Sequence, residues 1–170
     1  MVENSTFKSS RYFPRCVWQR GYSLLNPLKN RMNITHSTVS FPTSSGTDII
    51  NITPEMEEKV DSSGIKGGSL LLFISGSTAA LTTIEYESGV VNDLIRAIER
   101  VAPQNMQYEH DLRWGDGNGH SHVRAAFLGA SLNVPIKDGR MLLGTWQQIV
   151  LLDFDNRPRK REVQVQILGI

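Results

Sequence analysis

Residues 131–168 read SLNVPIKDGRMLLGTWQQIVLLDFDNRPRKREVQVQIL. Three strand-like stretches, 131–136, 141–154 and 162–168, are separated by the turn Lys137-Asp138-Gly139-Arg140 and by a polar run around Pro158. Val163, Val165 and Ile167 alternate with Gln164, Gln166 and Leu168, the period of two of a strand with one buried face. Short apolar runs joined by turn residues make an antiparallel meander.

Upstream, the same reading finds strands with helices inserted. Residues 34–41 and 48–53 are rich in Thr, Val and Ile. Thr53-Pro54-Glu55 is a helix start, with a hydroxyl N-cap, Pro at the first helical position and acids in the first turn. That helix is expected to stop at Ser63-Gly64. The apolar run 69–75 suggests a strand buried on both faces, and residues 80–87 a further strand. Val90, Val91, Leu94, Ile95, Ile98 and Val101 recur at helical spacing before Pro103. A helix is expected to begin near His120. The fold class is therefore α+β: one compact domain with a mixed, mostly antiparallel sheet and two or three helices.

Composition narrows the function. Of 170 residues, 39% are apolar and 21% charged, with a net charge of +1, so a folded core is expected and a dedicated nucleic-acid binder is not. The charge is unevenly placed. Residues 1–31 hold Lys8, Arg11, Arg15, Arg20, Lys29 and Arg31 against the single acid Glu3. They read as a basic extension ahead of a domain spanning 32–170. That extension has three candidate readings: a stretch upstream of a true start at Met32, which is favoured, a partner-binding tail, or a transit peptide. A lone cysteine, Cys16, allows no disulfide within the chain. No apolar run reaches the roughly 18 residues a membrane span needs, and no membrane partner is expected. A cytoplasmic location is expected by default.

The chemistry concentrates in residues 104–122. Three of four histidines, His110, His120 and His122, fall there beside Asp111, Asp116, Asn118 and three glycines. Two uses are open. Imidazoles ligate divalent ions such as zinc, but His-x-His puts both rings on one side only in extended chain. On a helix they diverge by roughly 200°. Alternatively, a helix starting at Gly119-His120 offers free N–H groups to phosphate or carboxylate. Gly76-Ser77-Thr78 follows a strand, where ligands often meet backbone amides, yet it lacks the nucleotide P-loop pattern. Glu85 and Glu87, two apart on a strand, point to one face. Asp93 reads as a helix-surface acid. Arg157, Arg159, Lys160 and Arg161 form a basic run at a hairpin. Trp146 reads as core, and Gln147 needs a partner if buried.

Several strings then converge on one resemblance: Asn118-Gly-His120-Ser-His122, Gly129-Ala-Ser131, Val134-Pro135, Asp138-Gly139-Arg140, Leu143-Gly144-Thr145-Trp146-Gln147 and Asp155 followed by Pro158-Arg159-Lys-Arg161. With Thr78-Ala79, Glu85 and Tyr108-x-His110, they resemble the YjbQ family over roughly residues 33–169. The resemblance implies a homotrimer and a polar pocket that binds an anion, a phosphorylated small molecule or a divalent metal (Mg or Zn). It further implies secondary thiamine-phosphate synthase activity, in which a pyrimidine pyrophosphate joins a thiazole phosphate and pyrophosphate leaves. On this basis the catalytic candidates are His120, His122 and Glu85. Asn118, Ser131, Thr78, Gly76, Gln147, Arg159 and Arg161 are the substrate- or anion-binding candidates, and His120, His122 and His110 the metal candidates. The alternative is a trimeric, non-catalytic anion- or metal-binding protein. One departure stands out: much of the family carries His-Thr-Thr-Ala where this chain has Gly76-Ser77-Thr78-Ala79, which tilts the expected pocket toward phosphate.

Overall fold

A computed structural model describes residues 31–170. The basic extension and Cys16 therefore lie almost entirely outside the described residues. Eight strands and four helices follow in order: β1 (Asn33–Thr43), β2 (Asp48–Asn51), α1 (Thr53–Ser63), β3 (Gly67–Ile74), β4 (Ala79–Ile84), α2 (Ser88–Val101), α3 (Glu109–Trp114), α4 (Gly119–Leu128), β5 (Ser131–Lys137), β6 (Arg140–Met141), β7 (Gln148–Asp153) and β8 (Arg159–Gly169).

The strands form two sheets, ordered β1-β8-β3-β5-β6 and β2-β7-β4. Every pairing is antiparallel, so the expectation of a mixed sheet gives way to two purely antiparallel ones. They pack face to face. Leu70, Leu72 and Ile74 of β3 and Val163, Val165 and Ile167 of β8 meet Leu81 of β4 and Ile149 and Leu151 of β7. Helix α1 closes one end of this core with Met56 and Val60. The other face of the small sheet carries Val150, Leu152 and Ala80 against Ile98 of α2 and Ala125 of α4. Residues 149–152 are thus apolar without interruption because β7 is the middle layer, buried on both faces.

Strand β3 is different. Its inward residues are buried, but Leu71 is 36% and Phe73 46% exposed, so it is not the doubly buried strand that its apolar run suggests. Leu71 lies opposite Gln166 and Asn133, and the outer face of the five-stranded sheet has no covering layer among the described residues. The expected strand 141–154 is also broken. Residues 142–147 loop out between β6 and β7, and Trp146 is 69% exposed, not core. Short turn-forming residues, Gly144-Thr145, interrupt the ladder there.

Helix starts follow local chemistry with one substitution of role. Thr53 opens α1, yet its hydroxyl does not cap. It accepts from Ile149 N–H at 2.8 Å, pinning α1 to β7. Glu87 lies past the end of β4 and caps α2 through Gly89 N–H (2.7 Å) and Val90 N–H. It therefore does not share a strand face with Glu85. Asp93 is a surface acid of α2, paired with Arg96. Helix α3 forms inside a stretch expected to be irregular, raising the helix count to four. Among the described residues no helix is long and apolar enough to cross a membrane.

Candidate functional site

Three chain segments meet at one end of the small sheet: the β3–β4 loop, the α3–α4 region and the β7–β8 connection. Between them lies a cleft of about 500 Å³ lined by Gly76, Ser77, Thr78, His110, Trp114, Asp116, Asn118, His122, Asp155, Arg157, Arg159 and Arg161.

Its floor is a fixed ionic network. Asp153, fully buried at the end of β7, accepts from Arg161 Nε at 2.6 Å and Nη2 at 2.5 Å, and from Thr43 Oγ1 at 2.6 Å. Burial alone would raise the Asp153 carboxyl. The bonds from Arg161, Thr43 and the Asp155 amide outweigh it and hold the group below the usual carboxylate value. Asp155 accepts from Arg159 Nε at 2.8 Å and from Thr78 Oγ1 at 3.1 Å. Its Oδ1 is buried with no partner among the described residues. Arg161 Nη2 also donates to Thr78 Oγ1 at 2.7 Å.

Two carboxylates thus fix two guanidinium forks without using all their donors, since each guanidinium carries five N–H groups. Arg161 Nη1 points at Gly76, where a Cβ would stand 3.3 Å away. Gly76 has φ +146°, a conformation that side-chain-bearing residues rarely adopt. Arg157 has no carboxylate within ion-pair distance among the described residues.

The opposite wall is imidazole. His110 of α3 and His122 of α4 lie ring to ring, centroids 4.4 Å apart and planes tilted by 48°. His110 Nε2 is 3.4 Å from Asp116 Oδ1. Buried Asn118, with its amide nitrogen turned inward, donates to His110 Nε2 at 3.2 Å and to Asp116 Oδ1 at 3.1 Å. Asn118 and Asp116 thus hold the His110 ring from its Nε2 side.

His120 goes elsewhere. The helix turns its ring away from His122, and it is 2% exposed. It packs near Tyr108, centroids 6.2 Å apart, with Ser121 Oγ 3.3 Å from its Nε2. Burial first, and then the nearby Arg124 charge, hold its pKa below the ordinary 6.5. Arg124 itself ties α4 to the end of α2 and to the β1–β2 turn, through Ala102 O (2.9 Å), Glu99 and Thr47 Oγ1 (3.0 Å).

The start of α4 is also taken: Gly119 N–H donates to Asp111 Oδ1 at 2.8 Å. Gly119 must be glycine, because a Cβ would lie 2.5 Å from Tyr108 Cβ. An internal carboxylate therefore holds an amide that the sequence offered to an anion.

Of the residues singled out from sequence, Gly76, Thr78, His110, Asn118, His122, Arg159 and Arg161 surround one cleft. Glu85, exposed just beyond β4, does not line it. Neither does Ser131, on the outer sheet face opposite Phe73, nor Gln147, whose amide bridges Gly144 N–H and Thr83 Oγ1. Asp116, Asp155 and Arg157 also line the cleft, and Asp153 anchors Arg161, roles that residue type alone does not mark. Asp153 and Asp155 stand two apart at a strand end, and that spacing, opposite two arginines two apart, was the available signal.

Among the described residues, no group of three or more His, Cys, Asp and Glu side chains is placed to hold a metal ion. Two imidazoles on one tetrahedral zinc, with Zn–N about 2.0–2.1 Å, keep their ring centres further apart than the His110–His122 contact. As placed, this set does not fit a metal cage.

The comparisons now bear on this geometry. The model of the UPF0047 protein YjbQ-like family matches residues 37–170. The chain belongs to the YjbQ family. A UPF0047 relative from Archaeoglobus fulgidus is 36% identical over 130 residues, covering 76% of this chain and 98% of the relative. UPF0047 protein YugU of Bacillus subtilis is 34% identical, covering 78% and 98%. Among solved structures, a protein of unknown function from Sulfolobus solfataricus superposes with a TM-score of 0.79 at 34% identity, over 82% of this chain and all of that one. An uncharacterised YjbQ-family protein from Clostridium acetobutylicum gives 0.71 at 34% identity, over 77% and 98%. The match covers the two-sheet domain and the cleft in this YjbQ-family chain, and stops short of the basic extension.

Proposed function

We propose that this YjbQ-family protein binds a phosphorylated small molecule in the cleft and acts on it as a transferase, by the thiamine-phosphate-synthase reaction its family resemblance implies. The observation that carries the reading is the pairing of two unlike walls. Preset guanidinium groups of Arg159 and Arg161, with Arg157 beside them, stand across from His122 and the His110–Asp116 pair.

Guanidinium forks suit phosphate oxygens, and forks already held by Asp153 and Asp155 need no reordering when an anion arrives. In the proposed step, the bond between the pyrimidine methylene carbon and the pyrophosphate oxygen breaks. A new bond forms from that carbon to the thiazole, and the electron pair leaves with pyrophosphate. Arg157, Arg159 and Arg161 stabilise the departing charge, and His122 supplies a proton to it. A divalent ion, Mg or Zn, is the cofactor the family resemblance implies; the His110–His122 set as placed does not fit one, and no step here depends on it. The proposed assembly is a homotrimer. The uncovered outer sheet face, with Leu71 and Phe73 exposed, supports a partner surface.

The test is pyrophosphate release from the two substrates, alongside thermal shift with phosphate and pyrophosphate. Turnover in wild type that His122→Ala abolishes supports the transferase. Stabilisation by anions with no turnover favours the non-catalytic binding protein. Absence of both turnover and anion stabilisation overturns both readings of the cleft.

A further inference from the structure

A second hollow of about 350 Å³ opens off the arginine cleft and shares Gly76, Ser77 and His122 with it. Its remaining lining is Ala79, Ala125, Ala126, Gly129 and Ala130, none of which has a side chain beyond Cβ. Resting on the anion reading of the cleft, we infer that this shelf receives the apolar, planar part of the phosphorylated ligand.

The geometry of α4 supports this. Ala125 and Ala126 lie three and four residues after His122, so they sit one turn along the same side of the helix. A ligand anchored by phosphate on the arginines therefore passes His122 before reaching the alanines. Neighbouring Val123 and Phe127, which lie off this line, are large and exposed. The small residues are thus confined to the side that faces the β3–β4 loop. A cavity of about 150 Å³ already accepts benzene, so the hollow has room for a ring together with its substituents. Apart from His122 and the Ser77 hydroxyl the lining side chains are Ala and Gly, so an apolar face is what it would recognise. His122 stands where the two compartments join, beside the bond between the organic part and the phosphate.

The experiment is calorimetric titration of the full chain with inorganic phosphate, methyl phosphate and phenyl phosphate, repeated on Ala126→Leu and the milder Ala126→Val. Ala126 is exposed, so both variants are expected to fold, which circular dichroism checks. Wild type should bind phenyl phosphate at least tenfold more tightly than methyl phosphate. The leucine variant should lose most of that gain and the valine variant part of it, with inorganic phosphate affinity changed less than twofold in each. Equal affinity for the phenyl and methyl esters in wild type, or a phenyl advantage that survives Ala126→Leu, overturns the shelf while leaving the anion site standing. Absence of binding by all three probes overturns the anion site, and the shelf with it.

Discussion

His110 and His122 bring their rings to 4.4 Å from two different helices, whereas His120 and His122, two residues apart, share no surface of the cleft. Sequence neighbours are separated by the helix, and distant residues are joined by the fold. Of the His-x-His string, His122 alone therefore faces the cleft.

His122→Ala should lower turnover by about 10²-fold or more, the usual range for removing a positioned acid or base. Its half-exposed position predicts a small change in stability. Steady-state kinetics and a thermal melt on the same preparation check both.

His120→Ala should behave in the opposite way. The ring is buried against Tyr108 and Ser121, so its removal leaves a cavity costing about 1–3 kcal/mol. Anion affinity measured well below the melting temperature should remain close to wild type. Denaturant unfolding together with phosphate titration separates the two variants, and a catalytic loss without destabilisation would contradict this placement.

Asp153→Ala should be among the most damaging single changes. It strips Arg161 of its buried partner, and breaking a buried pair typically costs about 3–5 kcal/mol. Thr43 loses a bond as well. Urea unfolding of the variant should show the loss, with phosphate affinity falling because Arg161 is no longer held. Asp153→Asn should recover part of the stability.

Stability should fall on acidification in two stages. His120 has a folded-state pKa below its ordinary 6.5, so the unfolded chain takes up the proton first. Stability is therefore lost as pH drops from about 6.5 toward the folded value. Asp153 is also held below its ordinary 3.8. Its contribution is present above that value and disappears as pH falls through the folded pKa. Unfolding free energies measured from pH 8 to pH 3 should show both losses, and His120→Ala should remove the first.

Gly76→Ala should destabilise by about 1–3 kcal/mol, the range for holding a residue with a side chain in a rarely populated backbone region. The new methyl would also press on Arg161 Nη1. A melt and a phosphate titration should both move, whereas an alanine placed at Ser77 should leave the melt nearly unchanged.

Most of the architecture is legible in local patterns. Thr53-Pro54 marks α1, the alternation of Val163 to Ile167 marks β8, and Val90 to Val101 mark α2. What is not legible depends on tertiary neighbours. The run Leu70 to Phe73 looks doubly buried, but only a partner layer can bury Leu71 and Phe73, and the described chain provides none on that face. Trp146 looks like core because tryptophan usually is, yet the Gly144-Thr145 turn lifts it out. The cleft was partly legible: its arginines, Gly76 and His110 were noticed for their residue types. The roles of Asp153 and Asp155 are not legible because acids at a strand end usually face water, and only their contacts with Arg159 and Arg161 at the start of β8 reveal their purpose.

The middle position of β7 has a last consequence. Its amides sit beneath two packed layers, so they should be among the slowest in the molecule to exchange with solvent deuterium. Asp153 ends that strand and Asp155 follows at once, which makes the arginine wall as unyielding as the core itself. On the facing wall His122 is carried by α4, which packs on the small sheet through Ala125, whereas His110 is carried by α3, six residues long with Trp114 and Leu112 in solvent. Of the elements around the cleft, α3 is therefore the one whose amides should exchange fastest.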